Sequence, residues 1–116
     1  MHTFIFKSKH FCRLIGRLVI SVPFITLSFF GNFFVFLSAT LVYYLENGQN
    51  PKIQSFIDAL WWSFSTTTTV GYGDITPITF EGKLVGIISM LIGVAIFGIY
   101  TALFARAIID DDVYMN

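Results

Sequence analysis

The chain has 116 residues, of which 55% are hydrophobic, 18% are aromatic and only 12% are charged. Soluble domains carry about 25% charged residues, so a globule of this size would leave phenylalanine and isoleucine in contact with water. The formal net charge is zero, which leaves no basic surface for nucleic acid. The single cysteine, Cys12, excludes an internal disulfide framework, and no cysteines and histidines have metal-ligand spacing. The composition excludes a soluble enzyme and a nucleic-acid binder and indicates a membrane protein.

Residues 1–17 form a basic N-terminal segment ahead of the first apolar stretch. Lys9, Arg13 and Arg17 recur every four residues, and apolar residues fall on another helical face. This pattern is typical of an amphipathic helix on the inner membrane surface, where the three cations would contact anionic lipid. A frayed beginning of the first span would give the same composition, and the sequence leaves both interpretations open.

Two uncharged stretches, residues 18–45 and 84–105, are long enough to cross a bilayer. About 20 helical residues span a hydrocarbon layer of about 30 Å. Pro23 marks either the beginning of the first span proper or a kink just inside it. A cleavable signal peptide is disfavoured because its apolar run is only about 7–15 residues long. Basic flanks and an acidic connection predict a multi-pass protein of the cell membrane with both termini in the cytoplasm.

The segment between the two spans does not have the composition of a loop. After a polar beginning, residues 59–73 contain no charge, yet they are too few for another span. Ser55 and Asp58 form the S-x-x-D pattern of a capping box, which predicts a helix over residues 55–68. Threonines and two glycines then predict non-helical backbone over residues 69–73.

The oligomeric state follows from where this non-helical segment lies. Such backbone is tolerated at membrane depth only where protein buries it or where it lines a watery path. One chain with two spans cannot enclose it, whereas several copies around an axis can. Because the segment has no charged side chain, a cation there would bind neutral oxygens, including the Thr69 hydroxyl. Carbonyls on one side require alternating left-handed dihedrals, which Gly71 and Gly73 permit.

The segment 69–73 reads TVGYG, which is the filter signature of potassium channels. With the preceding Leu60-Trp61-Trp62-Ser63 and the following Asp74, it resembles the pore helix and filter of prokaryotic two-span potassium channels, which are pore-loop channels. The resemblance implies an all-α membrane protein with two transmembrane helices, a re-entrant pore helix and a filter strand, assembled as a homotetramer. It implies a potassium-selective pore that conducts K+ passively, is not an enzyme and needs no cofactor beyond its permeant ion.

The resemblance also implies roles for single residues at the filter. Four stacked K+ sites would be formed by the carbonyls of Thr69, Val70, Gly71 and Tyr72 with the Thr69 hydroxyl, and Gly73 would end the filter. Support would come from Thr68, from Trp61 hydrogen-bonded to Asp74, and from Trp62 braced against Tyr72. Anchoring at the membrane interface is the alternative for the tryptophans, and Asp74 would also attract cations to the mouth. Ser65 departs from relatives that carry a glutamate there, which leaves filter inactivation in doubt.

The inner helix carries the predicted gate. Gly93 lies at the family's hinge position, while close helix packing is the alternative for it and the preferred role of Gly86 and Gly98. The residues matching the cavity and its inner mouth are Val94, Phe97, Thr101 and Ala105.

The predicted organisation has three parts. They are the cytoplasmic or interfacial segment 1–17, the pore domain 18–109 and a cytoplasmic tail 110–116. The pore domain comprises an outer helix 18–45, a turret 46–54, a pore helix 55–68, a filter 69–73 and an inner helix 80–109. The acidic run at residues 110–112 is expected to be a solvated helix end, and the sequence leaves open a cytoplasmic regulatory domain beyond it. A weakly selective cation channel is the first alternative function, and a non-conducting membrane adaptor subunit is a more remote one.

Overall fold

A computed structural model describes the backbone of residues 2–115 and the side chains of residues 3–110. The described chain contains four α-helices and no β-strand. They are α1 (His2–Val19), α2 (Val22–Glu46), α3 (Phe56–Thr67) and α4 (Phe80–Met115). Helices α2 and α4 are long and apolar enough to cross a membrane, whereas α3 has only 12 residues. Two spanning helices therefore flank one short helix and a non-helical segment.

A turn at residues 20–21 separates α1 from α2, so the outer helix begins at Val22 and not at residue 18. The Ser21 amide and hydroxyl both donate to the Leu18 carbonyl, at 3.0 and 2.6 Å. Pro23 lies in the first turn of α2, where its missing N–H breaks no helical hydrogen bond. Pro23 thus marks the beginning of the helix and not a kink. Residues 2–19 thus form a helix separate from α2, while the place of α1 on the membrane surface stays a prediction.

The inner helix is longer than the sequence predicts. Helix α4 begins at Phe80 but continues to Met115, beyond the predicted end at residue 109. The backbone of the predicted tail is therefore helical as far as it is described. Asp110 is exposed on this helix, while the side chains of Asp111 and Asp112 lie outside the described residues.

The chain divides into two compact units, one of residues 29–97 and the other of residues up to 28 together with those from 98 onward. The larger unit has a small core of buried apolar residues from α2, α3 and the loop between them. Its members are Ala39, Val42, Ile53, Ala59 and Trp62. Many phenylalanines and isoleucines outside this core are exposed, which suits helices that face lipid.

Buried serines connect the helices of the larger unit. The Ser63 hydroxyl on α3 donates to the Val35 carbonyl of α2 at 2.7 Å. The Ser89 hydroxyl on α4 donates to the Ser38 hydroxyl of α2 at 3.0 Å. Polar contacts of this kind contribute about 0.6 kcal/mol each between helices in lipid. Together they fix α3 and α4 against α2 and thereby position the segment that follows α3.

Candidate functional site

Helix α3 points its C-terminal end at the TVGYG segment. Ser55 is the N-cap residue, and its N–H donates to the Asp58 carboxylate at 3.2 Å, so the helix begins where the S-x-x-D pattern predicts. At the other end, the amide and the hydroxyl of Thr68 both donate to the Phe64 carbonyl, at 2.9 and 2.5 Å. The partial negative charge at the C-terminus of a helix favours a cation beyond it.

The backbone of the TVGYG segment alternates in handedness. Thr69, Gly71 and Gly73 have φ angles of 64°, 57° and 79°, and the residues between them do not have positive φ. This is the alternation expected for carbonyls that all point to one side. The two glycines adopt it without steric cost, whereas a residue with a Cβ pays about 1–2 kcal/mol. The sequence did not predict the left-handed conformation of Thr69. This conformation extends the alternation by one residue pair toward α3.

Ser65 on α3 accepts two hydrogen bonds from the backbone of this segment. The Gly71 N–H donates to the Ser65 carbonyl at 3.0 Å, and the Tyr72 N–H donates to the Ser65 hydroxyl at 3.2 Å. The N–H groups of two successive residues therefore face α3. The sequence singled out Ser65 only as a departure from relatives with glutamate, and its backbone contacts could not be inferred from that difference.

The two tryptophans lie in different environments. Trp61 donates its indole N–H to the Asp74 carboxylate at 2.9 Å, which is the contact implied for it. Its ring also stacks on Tyr72, with centroids 5.6 Å apart and planes at 8°. Trp62 is 4% exposed and belongs to the core. Within the chain it is Trp61 that stacks on Tyr72, and the bracing of Tyr72 by Trp62 stays a prediction.

A wide groove of about 970 Å³ runs along the TVGYG segment and α4. Its walls include Trp62, Ser65, Thr69, Gly71, Ile87 and Val94. Val70 and Tyr72 are 54% and 67% exposed in the single chain. The single chain therefore leaves this groove open and two large side chains of the TVGYG segment uncovered.

The predicted hinge glycine is in close contact with α3. A Cβ built on Gly93 would lie 2.9 Å from the carbonyl carbon of Thr67 and 3.0 Å from its Cα, and closer still to the carbonyl oxygen. A Cβ on Gly86 would lie 3.3 Å from the Trp62 ring, while one on Gly98 would meet no atom within 4 Å, its own helix backbone aside. Packing therefore explains Gly93 and Gly86 but not Gly98 within the described chain. The hinge role of Gly93 stays a prediction.

The four residues predicted to line the cavity and inner mouth are exposed along one helix. Val94 also lines the groove beside the TVGYG segment. The set is Val94, Phe97, Thr101 and Ala105, all on α4. Their exposure leaves them available to line a pore.

A buried carboxylate that the sequence analysis missed joins the end of α2 to the beginning of α4. Glu46 is fully buried and accepts hydrogen bonds from the amides of Ile78 and Thr79, at 3.0 and 2.9 Å. It also accepts from the Thr79 hydroxyl at 2.7 Å, while Gly82 donates its N–H to that hydroxyl at 2.9 Å. The available signal was a carboxylate at the end of an apolar span and a threonine just before the next one.

The sequence of this chain is similar to that of a known protein family. A protein family described as "Ion channel" matches residues 30–110, which is most of the chain and contains the TVGYG segment. The chain belongs to this ion channel family. Its membership confirms the resemblance to pore-loop channels and makes it a membrane protein. It also favours a channel over an enzyme.

Several relatives of this chain are named as potassium channels. A hyperpolarization-activated voltage-gated potassium channel from Methanocaldococcus jannaschii is 44% identical over 68 residues, which are 59% of this chain and 32% of the relative. A voltage-gated potassium channel from Aeropyrum pernix is 47% identical over 62 residues, 53% of this chain and 21% of the relative. The human potassium voltage-gated channel subfamily KQT member 4 is 35% identical, over 75% of this chain and 13% of the relative. The chain thus spans about a third or less of these relatives.

A solved structure supports the fold. The crystal structure of the pore domain of a voltage-gated K+ channel, in a closed state in lipid membranes, matches with a TM-score of 0.62 and 34% identity. The match covers 70% of this chain and 90% of that chain. The predicted all-α membrane fold, with two apolar helices around a short helix and a non-helical segment, is confirmed.

Proposed function

We propose that this ion channel is a homotetrameric potassium-selective pore that conducts K+ passively and needs no cofactor besides its permeant ion. The observation that carries the proposal is the alternation of left-handed φ angles at Thr69, Gly71 and Gly73. In this conformation successive carbonyls face the same side, which is what a row of neutral oxygen ligands for a cation requires. The names of the relatives give the same ion.

The carbonyls of residues 69–72 and the Thr69 hydroxyl would form the ion sites. Each ring would take one oxygen from each of four chains, and the oxygens would replace the water shell of K+. The amides of Gly71 and Tyr72 are bound to Ser65, so the strand has support on the side away from the ions. The C-terminus of α3 adds a partial negative charge, which lowers the energy of a dehydrated cation.

Three further copies would enclose the strand. The groove of about 970 Å³ beside the TVGYG segment is the surface that a neighbouring chain would cover. With the basic residues before α2 and at Arg106, both termini would face the cytoplasm.

The test is the reversal potential of purified protein in a planar bilayer with potassium on one side and sodium on the other. A value near the potassium limit is expected. A value near zero with measurable current would contradict potassium selectivity and favour a weakly selective cation channel. Absence of any current from protein that reconstitutes as a tetramer would favour a non-conducting adaptor.

A pair of glycine variants controls for backbone strain. Gly71→Ala places a Cβ at a φ of 57°, and Gly48→Ala places one at 86° in the turn after α2, each at a cost of about 1–2 kcal/mol. Neither added Cβ meets another atom within 4 Å. We expect Gly71→Ala to abolish K+ current and Gly48→Ala to preserve it. Equal loss in both variants would assign the effect to general destabilisation.

We also propose that α1 lies on the inner surface of the membrane and contacts anionic lipid. Lys9, Arg13 and Arg17 are exposed on it, as are the rings of Phe4 and Phe11. Such a helix gains from apolar burial and from charge attraction together. Replacing the three cations by glutamine should reduce the dependence of K+ flux on phosphatidylglycerol in vesicles. An unchanged dependence would contradict the lipid contact.

A further inference from the structure

The smaller unit of the chain contains an aromatic cluster that joins α2 to α4, here called the Tyr100 cluster. It consists of Phe24 and Ser28 on α2 and of Tyr100 and Phe104 on α4. The Phe24 ring meets Tyr100 edge-on at 5.2 Å and Phe104 at 6.2 Å, with planes at 62° and 88°. These are the edge-to-face arrangements that aromatic pairs prefer. All four residues are half-buried, whereas several of their neighbours are exposed.

A hydrogen bond between two hydroxyls lies inside this cluster. The hydroxyls of Ser28 and Tyr100 are 2.6 Å apart and come from residues 72 positions apart in the chain. Both lie in helices that are long and apolar enough to cross a membrane. In such surroundings water is scarce, so separating the two hydroxyls breaks a bond that solvent does not replace. The bond therefore favours whichever arrangement of the two helices keeps the hydroxyls together.

The cluster lies next to the predicted inner gate. Thr101 and Ala105, which match positions at the inner mouth, directly follow Tyr100 and Phe104 in the same helix. Successive helical residues point about 100° apart, so one face of α4 carries the bond to α2 while an adjacent face carries the gate residues. A movement of this part of α4 away from α2 separates the two hydroxyls and displaces the gate residues together.

We propose that Ser28 and Tyr100 are a gate-positioning pair whose hydrogen bond stabilises one position of the inner end of α4 and so sets the opening equilibrium. The inference rests on the proposed function, since it needs a conducting pore. The aromatic contacts pack the two helices together. The hydroxyl bond contributes the free-energy difference that favours one position of α4 over another.

Packing by the rings and positioning by the hydroxyl bond can be tested separately, because a substitution can remove a hydroxyl and leave the rings in place. Tyr100→Phe keeps the edge contact with Phe24, and Ser28→Ala keeps the backbone of α2. Ser28→Thr keeps a hydroxyl at the same position. Tyr44→Phe is the matched control, because Tyr44 also lies on α2 but is 77% exposed.

The experiment is a double-mutant cycle on open probability, measured by single-channel recording of the full chain in a planar bilayer. Tyr100→Phe and Ser28→Ala should each change the open-to-closed ratio in the same direction. Loss of one bond should change the open-to-closed ratio about threefold. Where several chains open together, the factors for their bonds multiply. The double variant should change the ratio no further than either single variant, while Ser28→Thr and Tyr44→Phe should match the original chain.

The other outcomes overturn the inference in distinguishable ways. Effects of the two single variants that add in the double variant, or that have opposite signs, would show that the hydroxyls act separately. K+ current with unaltered open probability in all variants would refute gate positioning while leaving the proposed function intact. An original chain without K+ current in the tetrameric state would refute the proposed function and this inference with it.

Discussion

The close approach of Gly93 to α3 makes a quantitative prediction about its replacement by alanine. The added Cβ would lie 2.9 Å from the Thr67 carbonyl carbon, whereas ordinary contact begins at 3.4 Å, so α4 must retreat by roughly half an ångström or more. The contacted atoms are backbone and cannot turn away as a side chain could. Overpacking of this kind costs about 1–3 kcal/mol, while alanine regains about 1 kcal/mol of helix propensity.

Gly98→Ala is the matched control for this variant. It makes the same chemical change in the same helix, and the added Cβ meets no atom within 4 Å, the helix backbone aside. It should gain the helix propensity without the clash. The two variants should therefore differ in stability by about 1–3 kcal/mol per chain, with Gly93→Ala the less stable.

Thermal dissociation of the proposed tetramer in detergent measures the difference, and K+ flux into vesicles reports the proposed pore. We expect Gly93→Ala to dissociate at a lower temperature than the original chain and Gly98→Ala at an equal or higher one. If glycine served at position 93 only as a hinge, alanine would raise stability and slow opening instead. A Gly93→Ala tetramer as heat-stable as Gly98→Ala would therefore refute the packing argument.

Three other side chains, Ser65, Trp61 and Glu46, give further predictions. Ser65→Ala removes the 3.2 Å bond to the Tyr72 amide, worth about 1 kcal/mol, and should speed the decay of sustained K+ current about fivefold; unchanged decay would contradict this support. Trp61→Phe keeps an aromatic ring for stacking but loses the indole bond to Asp74, so it should speed the same decay more than Asp74→Asn, which retains an acceptor oxygen. Glu46→Gln weakens the charge-assisted bonds that hold the beginning of α4 and should lower tetramer stability by about 1.5–3 kcal/mol per chain, measured by thermal dissociation.

Local chemistry in the sequence was sufficient for the main elements of the fold. Charge-free stretches located both spanning helices because a charge inside lipid is costly. The S-x-x-D pattern located the beginning of α3, since Ser55 and Asp58 act on backbone groups within one turn. The glycines at positions 71 and 73 indicated left-handed backbone, which is a property of the residues themselves. Each of these inferences depends on the residue types within one stretch of the sequence and not on contacts between distant residues.

Long-range contacts were beyond the same reasoning. Glu46 binds residues more than 30 positions later, and Gly93 is explained by the backbone of Thr67. The local sequence around a glycine in an apolar helix does not show whether the glycine allows the helix to bend or allows another helix to pack closely against it. Only the arrangement of the other helices decides between these roles. The left-handed φ at Thr69 is of this kind too, because its residue type alone argues against it.

The stacking of Trp61, and not Trp62, on Tyr72 follows from the same limit. Trp61 and Trp62 differ by about 100° around α3, so a rotation of the helix decides which ring meets the filter segment. The capping residues fix where α3 begins but not its rotation. That rotation is set by distant contacts, namely the Ser63 hydroxyl on the Val35 carbonyl and the approach of Trp62 to Gly86. With Trp62 held in the core, Trp61 is the ring left to stack on Tyr72 and to bind Asp74. Trp61 of α3 thus contacts both the TVGYG segment and the aspartate that follows it.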